Sequence, residues 1–208
     1  MPFPVPDPIR DLAELDAMFP APAAPSVRKV TTRLTPAYCR MIEASPFFAL
    51  ATSGPGGLDC SPRGDAAGFV RIADDSTLLL PERRGNNRID SLRNLLADSR
   101  AALMFLIPGI SEILRINGNA FLSRNRELCD SFLVKGSAPK IVIVFQLETV
   151  MFQCARAIVR SRLWDPSLHR APGEVPTAGS MLADATAGEE GGSAYDAALP
   201  ERIRTTLY

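Results

Sequence analysis

From Phe47 onward, apolar positions come in short runs broken by tight-turn residues. Phe47-Phe-Ala-Leu-Ala-Thr-Ser53 has strand length and is followed by the turn Gly54-Pro-Gly-Gly57. Further strands are expected over residues 58–65, 68–72 and 77–81, with Asp74-Asp-Ser as a turn, which together make an antiparallel meander. Residues 101–107 are apolar on both faces and read as a central strand. Residues 113–122 alternate and are broken by Gly118. Residues 140–147 form another buried strand, extended or followed by 150–154. The period changes at 86–97, where Ile89, Leu92, Leu95 and Leu96 recur at helical spacing. Residues 126–134 read as a second helix. Thr35-Pro36 opens a helix over 36–44, which Ser45-Pro46 stops. Short strands with two helices among them and no βαβ rhythm predict a mainly β fold, an antiparallel barrel with peripheral helices. Residues 1–35 form an N-terminal arm with a short helix at 11–19, residues 36–166 the compact domain, and residues 167–208 a C-terminal arm. Gly188-Glu-Glu-Gly-Gly192 is expected to be a mobile loop.

Composition narrows the function. Hydrophobic residues make up 46% of the 208 and charged residues 22%, the mix of an ordinary globular protein. The longest apolar runs, 101–107 and 141–145, fall far short of the ~18 residues of a membrane span. The 23 basic and 23 acidic side chains cancel, so a general affinity for nucleic acid is not expected. Only Lys29, Lys135 and Lys140 are lysines, which leaves 20 arginines among the 23. Arginine forks suit phosphate and carboxylate, although codon preference accounts for most of them. One histidine, His169, excludes a zinc site built on several histidines, and no metal site is expected. A Ser-His-Asp or Cys-His arrangement would have to use His169, which sits in a Pro/Gly-rich stretch. Cys39, Cys60, Cys129 and Cys154 are far apart with no C-x-x-C and read as reduced core thiols of a cytoplasmic protein. The N-terminus has neither the basic nor the apolar region of a secretion signal.

Four stretches carry candidate chemistry. Ser61-Pro-Arg-Gly-Asp65 combines a hydroxyl, a guanidinium and a glycine that lets backbone approach a ligand, or is simply a strand with a bulge and a salt bridge. Pro81-Glu-Arg-Arg-Gly-Asn-Asn-Arg88 runs from a strand end into a helix, where free N–H groups and the helix dipole attract phosphate. It lacks the G-x-x-x-x-G-K-[ST] pattern, and a plain polar cap is an equal reading. In Glu112-Ile-Leu-Arg-Ile-Asn-Gly118, Arg115 shares a strand face with Asn117. Cys154-Ala-Arg-Ala-Ile-Val-Arg-Ser-Arg-Leu-Trp-Asp-Pro166 carries the only tryptophan, either a ring-stacking platform or a core anchor, with Arg156, Arg160 and Ser161 able to reach phosphate or a partner chain.

In chain order, Ser45-Pro-Phe47, Ser61-Pro-Arg-Gly-Asp65, Gly68-Phe69, Gly85-Asn-Asn-Arg88, Asp90-Ser-Leu-Arg-Asn94, Phe105-Leu-Ile-Pro-Gly109, Leu114-Arg-Ile-Asn-Gly118 and Arg160-Ser-Arg-Leu-Trp-Asp-Pro166 resemble the pyridoxamine 5′-phosphate oxidase-like flavoproteins, a bacterial FMN-binding split-barrel subfamily. The resemblance implies a six-stranded split β-barrel and a homodimer with FMN in each of two clefts at the subunit interface. Arg63, Gly64, Asp65 and Ala66 would lie along the isoalloxazine and ribityl chain, and Asn87 and Arg88 at the FMN phosphate. Arg160 and Trp164 would complete the pocket. With Ser61, Asn86 and Arg115 these form the candidate cofactor-binding set; no catalytic residue is identified. The Arg-x-His motif of true pyridoxamine 5′-phosphate oxidases is replaced by Arg160-Ser-Arg162, so oxidation of vitamin B6 is not expected. The leading expectation is an FMN-dependent oxidoreductase acting on a small redox substrate. A flavin-binding sensor or carrier, or a split barrel holding deazaflavin, is the alternative; haem fits least, with one imidazole in the tail.

Overall fold

The computed structural model describes residues 3–208. These divide into two units, Met1–Val30 and Thr31–Tyr208. The first unit carries α1 (Leu12–Met18) and α2 (Ala24–Arg28), neither of which buries a residue. Asp11 caps α1 from outside, accepting from the Glu14 N–H at 2.9 Å. The helix expected at 11–19 is therefore shorter by its cap at one end and by Phe19 at the other.

The second unit opens with α3 (Pro36–Ala44). Thr35 accepts from the Tyr38 N–H and Pro36 takes the first turn, as the sequence dictates. Seven strands follow: β1 (Phe47–Gly54), β2 (Gly57–Gly64), β3 (Arg71–Asp74), β4 (Thr77–Pro81), β5 (Arg100–Leu106), β6 (Ile113–Ser123) and β7 (Val142–Gln153). They form one antiparallel sheet in the order β2-β1-β5-β6-β7-β4-β3. Helices α4 (Asp90–Ala97), α5 (Arg126–Asp130), α6 (Arg156–Ser161), α7 (Ala178–Ala185) and α8 (Gly192–Thr206) lie at its periphery. Among the described residues no helix is long and apolar enough to cross a membrane.

Alternation builds the core. Phe48 and Leu50 of β1, Leu103 and Phe105 of β5, Leu114 and Ile116 of β6, and Ile143 and Phe145 of β7 are almost fully buried. Ile42 of α3 and Leu92 and Leu95 of α4 pack on this cluster. Burying one such side chain is worth roughly 1.5–3 kcal/mol. At Gly118 the β6–β7 register shifts by one residue. A Cβ there would collide with the Gln146 carbonyl oxygen and come within 2.9 Å of the Leu147 Cα, so the bulge admits only glycine.

The sheet curls without closing. β2 and β4 stand first and sixth in the order, with no backbone ladder between them. Their ends nevertheless meet through side chains: Arg63 pairs with Glu82 at 2.9 Å and Asp65 with Arg83 at 2.7 Å. This is a split barrel, its seam bridged by charge. The seventh strand is the four-residue β3, which extends the β4 edge.

Three elements differ from the sequence expectation. The strand expected at 68–72 starts only at Arg71, because a turn at Gly68 (φ 84°) sends Phe69 inward to stack on Phe48, with ring centroids 5.7 Å apart. The helix expected from 86 starts at Asp90, because Asn87 and Ile89 are left-handed (φ 63° and 51°). α5 ends at Asp130, not 134, and Phe132 beyond it tucks against Cys129 and Val142. β7 is one strand of twelve residues, the extended form of the strand expected at 140–147. In the C-terminal arm, α7 and α8 are joined by residues 186–191. Asp196 ties them together, accepting from the Thr177 hydroxyl at 2.5 Å and the Gly179 N–H at 2.7 Å.

Candidate functional site

Side-chain alternation puts Asp59, Ser61 and Arg63 on the same face of β2, half-buried. Opposite them stands the first turn of α4. Asn94 anchors that helix to the β1–β2 hairpin by donating to Thr52 Oγ1 at 3.2 Å and to the Gly57 carbonyl at 3.3 Å. One network results. Ser91 Oγ donates to Asp59 at 2.6 Å and accepts from Arg63 Nη2 at 3.2 Å. Ser61 donates to Asp59 at 3.0 Å. Arg63 Nε donates to Glu82 at 2.9 Å. The arginine thus holds three sequence-distant segments in one place.

Two residues on, Asp65 forms a second node. Its carboxylate accepts from Arg83 Nε at 2.7 Å, the Ala66 N–H at 2.8 Å and the Tyr208 hydroxyl at 2.8 Å. Burial pushes this carboxyl up, but the hydrogen bonds from Tyr208, Ala66 and Arg83 outweigh it and hold the group below the usual carboxylate range. Asp65 is therefore ionised at neutral pH. Arg83 also donates to the Phe132 carbonyl at 2.8 Å.

Before α4 the chain turns through Gly85-Asn86-Asn87-Arg88. Asn86 Oδ1 accepts from the Arg88 N–H at 3.1 Å. Ile89 occupies the N-cap position and offers no side-chain acceptor to the first-turn N–H groups. A left-handed β-branched residue is costly, about 1–3 kcal/mol, and such strain concentrates at functional sites. The Arg88 side chain is 77% exposed and pairs with Asp90 at 2.8 Å.

The structure thus brings Ser61, Arg63, Gly64, Asp65 and Ala66 together at the seam, with the Asn86-Asn87-Arg88 turn leading into the helix that carries Ser91. The other three candidates make different contacts within one chain. Arg115 points outward from β6 and donates to Gln153 at 3.4 Å. Arg160 is exposed in the last turn of α6. Trp164 Nε1 donates to the Ile110 carbonyl at 2.8 Å. Sequence reasoning missed Asp59, Glu82, Arg83 and Ser91 as individual contributors, and Tyr208 entirely. Asp59 had a legible signal, being two residues before Ser61 on the same strand face.

This fold and this seam define a split-barrel protein. The chain belongs to the pyridoxamine 5′-phosphate oxidase family, whose model matches residues 34–154. The match spans α3 through β7 and ends before α6, so the Arg160 to Pro166 stretch lies outside it. Among solved structures, HupZ of Group A Streptococcus is similar at 16% identity, over 56% of this chain and 91% of that one, with a TM-score of 0.47. A Lactobacillus delbrueckii protein, provisionally named a pyridoxamine 5′-phosphate oxidase, is 21% identical over 58% and 95%, with a TM-score of 0.46. An FMN-binding protein of Syntrophomonas wolfei is 12% identical over 56% and 88%, with a TM-score of 0.42. No curated protein matches the chain.

Proposed function

We propose that the protein binds FMN at the β2–α4 seam and acts as an FMN-dependent oxidoreductase, as a homodimer with the cofactor between subunits. The observation that carries the proposal is the start of α4. It has no side-chain cap, an exposed arginine lies two residues before its first residue, and the polar network of Arg63 adjoins it. These features fit a phosphate-bearing ligand. The Arg88–Asp90 pair is exposed, and such pairs are weak, worth ~0–1 kcal/mol, so a phosphate dianion can take the guanidinium over. Arg63 and the backbone of Gly64 to Ala66 would run along the ring and ribityl chain. Bound FMN would supply two-electron redox chemistry. A hydride donor needs no general base, and the seam carboxylates Asp59, Glu82 and Asp65 are each already engaged by hydrogen-bond donors. The family's founding activity is not proposed for this chain, because Arg160-Ser-Arg162 has no histidine to grip a pyridoxal ring. Free cysteines at 39, 60, 129 and 154 support a cytoplasmic site of action.

The test pairs two ligands. Arg88→Ala should weaken FMN binding about 10- to 100-fold, the loss expected of one charge-assisted hydrogen bond, and leave riboflavin nearly unchanged. An equal loss for both flavins overturns the phosphate role. Purified protein that takes up no FMN overturns the flavin reading as a whole. Bleaching of bound FMN by a nicotinamide donor under anaerobic conditions would separate an enzyme from a flavin carrier, and light scattering tests the dimer.

A further inference from the structure

Beside Arg83 lies a cleft of about 200 Å³, lined by Asp65, Gly68, Phe69, Arg71 and Phe132 among others. Its walls are firmly built. Arg71 lies over the Phe132 ring, 3.9 Å from the centroid, and donates to the Ser131 carbonyl and hydroxyl. Arg83 ties the Phe132 carbonyl to Asp65. Next to this cleft, against its wall residues Asp65 and Arg83, the Tyr208 ring from beyond α8 packs with its hydroxyl 2.8 Å from Asp65 Oδ1. Lys135 Nζ sits 5.1 Å from the ring centroid and Arg83 Cζ 5.9 Å. Lys135 itself is left-handed (φ 49°), a conformation that a lysine adopts only at a cost.

Asp65 does not need Tyr208 to be satisfied, since Arg83 and the Ala66 N–H already serve it. What the tyrosine displays is a set of complementary groups: an ionised carboxylate that accepts an O–H, and two cations about an electron-rich ring. We infer that this is a binding site for a phenolic ring, a neutral hydroxylated aromatic molecule, and that Tyr208 is an internal occupant which such a molecule displaces. No phosphate is required of this ligand; the groups that recognise it are Asp65, Arg83 and Lys135. Asp65 follows the end of β2, two residues beyond Arg63, so under the FMN reading the phenol would bind beside the cofactor. Only that last step rests on the FMN reading; the binding site does not.

The probe is p-cresol, the tyrosine side chain as a free molecule, titrated calorimetrically into the full-length FMN-free protein. Tyr208→Ala should bind p-cresol at least about tenfold more tightly than the wild type, because the competitor is gone, and Tyr208→Phe should fall between them. In the alanine variant, 4-methylanisole, which has no O–H to donate, should bind at least about tenfold more weakly than p-cresol. Equal p-cresol affinity in the wild type and Tyr208→Phe overturns the proposal even if the alanine variant fails to fold. So does equal binding of the two probes, or no p-cresol binding to Tyr208→Ala at about 10 mM, well beyond a millimolar Kd. FMN is titrated in parallel: loss of FMN binding with the p-cresol response intact would sink the flavin reading alone.

Discussion

The middle of the sheet and its seam are held by opposite means. β6 and β7 pair from Ile113 opposite Gln153 to Ser123 opposite Val142, a backbone ladder with a wall of Leu114, Ile116, Ile143 and Phe145 on its inner side. β2 and β4 share no ladder and meet through Arg63–Glu82 and Asp65–Arg83. The ladder ties most of its backbone groups to one another and turns an apolar face inward, so it offers a ligand little. The seam leaves carboxylates and guanidiniums whose partners are side chains, and side chains can be exchanged for ligand atoms. The charged bridge thus places exchangeable polar groups where an unbroken barrel would have had only backbone.

The sharpest way to break the ladder is at its bulge. Gly118→Val sets a branched side chain against the β7 backbone at Gln146 and Leu147, which cannot yield as a side-chain tip can. A loss of about 4 kcal/mol or more is expected, read as a collapsed urea midpoint or failure to fold. The seam should break differently. Asp65→Ala strands Arg83, whose side chain is 14% exposed, and should cost about 2–3 kcal/mol. Adding Arg83→Met should recover most of that, whereas no second change on the ladder rescues Gly118→Val. Two additive losses in the Asp65/Arg83 double variant would show that the pair is not a unit. The smallest effect is on pH dependence. Asp65 is held below its ordinary 3.8 in the folded chain, so its contribution is complete above roughly pH 4 and is lost as pH falls through the lowered folded value. Urea titrations from about pH 5 to 2 should therefore show a shallower acid loss in Asp65→Asn than in the wild type, with the remaining slope from Asp74, Asp98, Asp165 and Glu201, whose folded pKa values are also depressed.

Legibility in the sequence follows the same division. Wherever alternation or a cap decides, as at α3 with Thr35-Pro36 or at β1 with Phe48 and Leu50, the pattern alone places the element within a residue. It fails where one side chain has a tertiary task. Phe69 leaves the expected strand to stack on Phe48, and Ile89 adopts a left-handed conformation that its side chain disfavours, which delays α4. The first half of the candidate site was legible because Ser61 and Arg63 lie on one strand and Asp65 directly follows its end. Glu82, Ser91 and Tyr208 were not, because only the curl of the sheet and the course of the last helix bring them to it. Tyr208 is 143 residues from Asp65, and no local pattern spans that distance.

One residue of β2 has a consequence for crowded solution. Pro62 stands opposite Ala49 on the outermost strand. Counting alternate pairs from the two-residue turn between Gly54 and Gly57 puts it at a non-hydrogen-bonded position, where an N–H would point away from β1. Proline has none to present. A stray extended segment trying to continue the sheet from this side therefore meets a missing donor halfway along, flanked by Ser61 and Arg63. The exposed margin of the barrel is in this way a poor template for aggregation, at a site where losing one amide bond leaves the inner ladder intact.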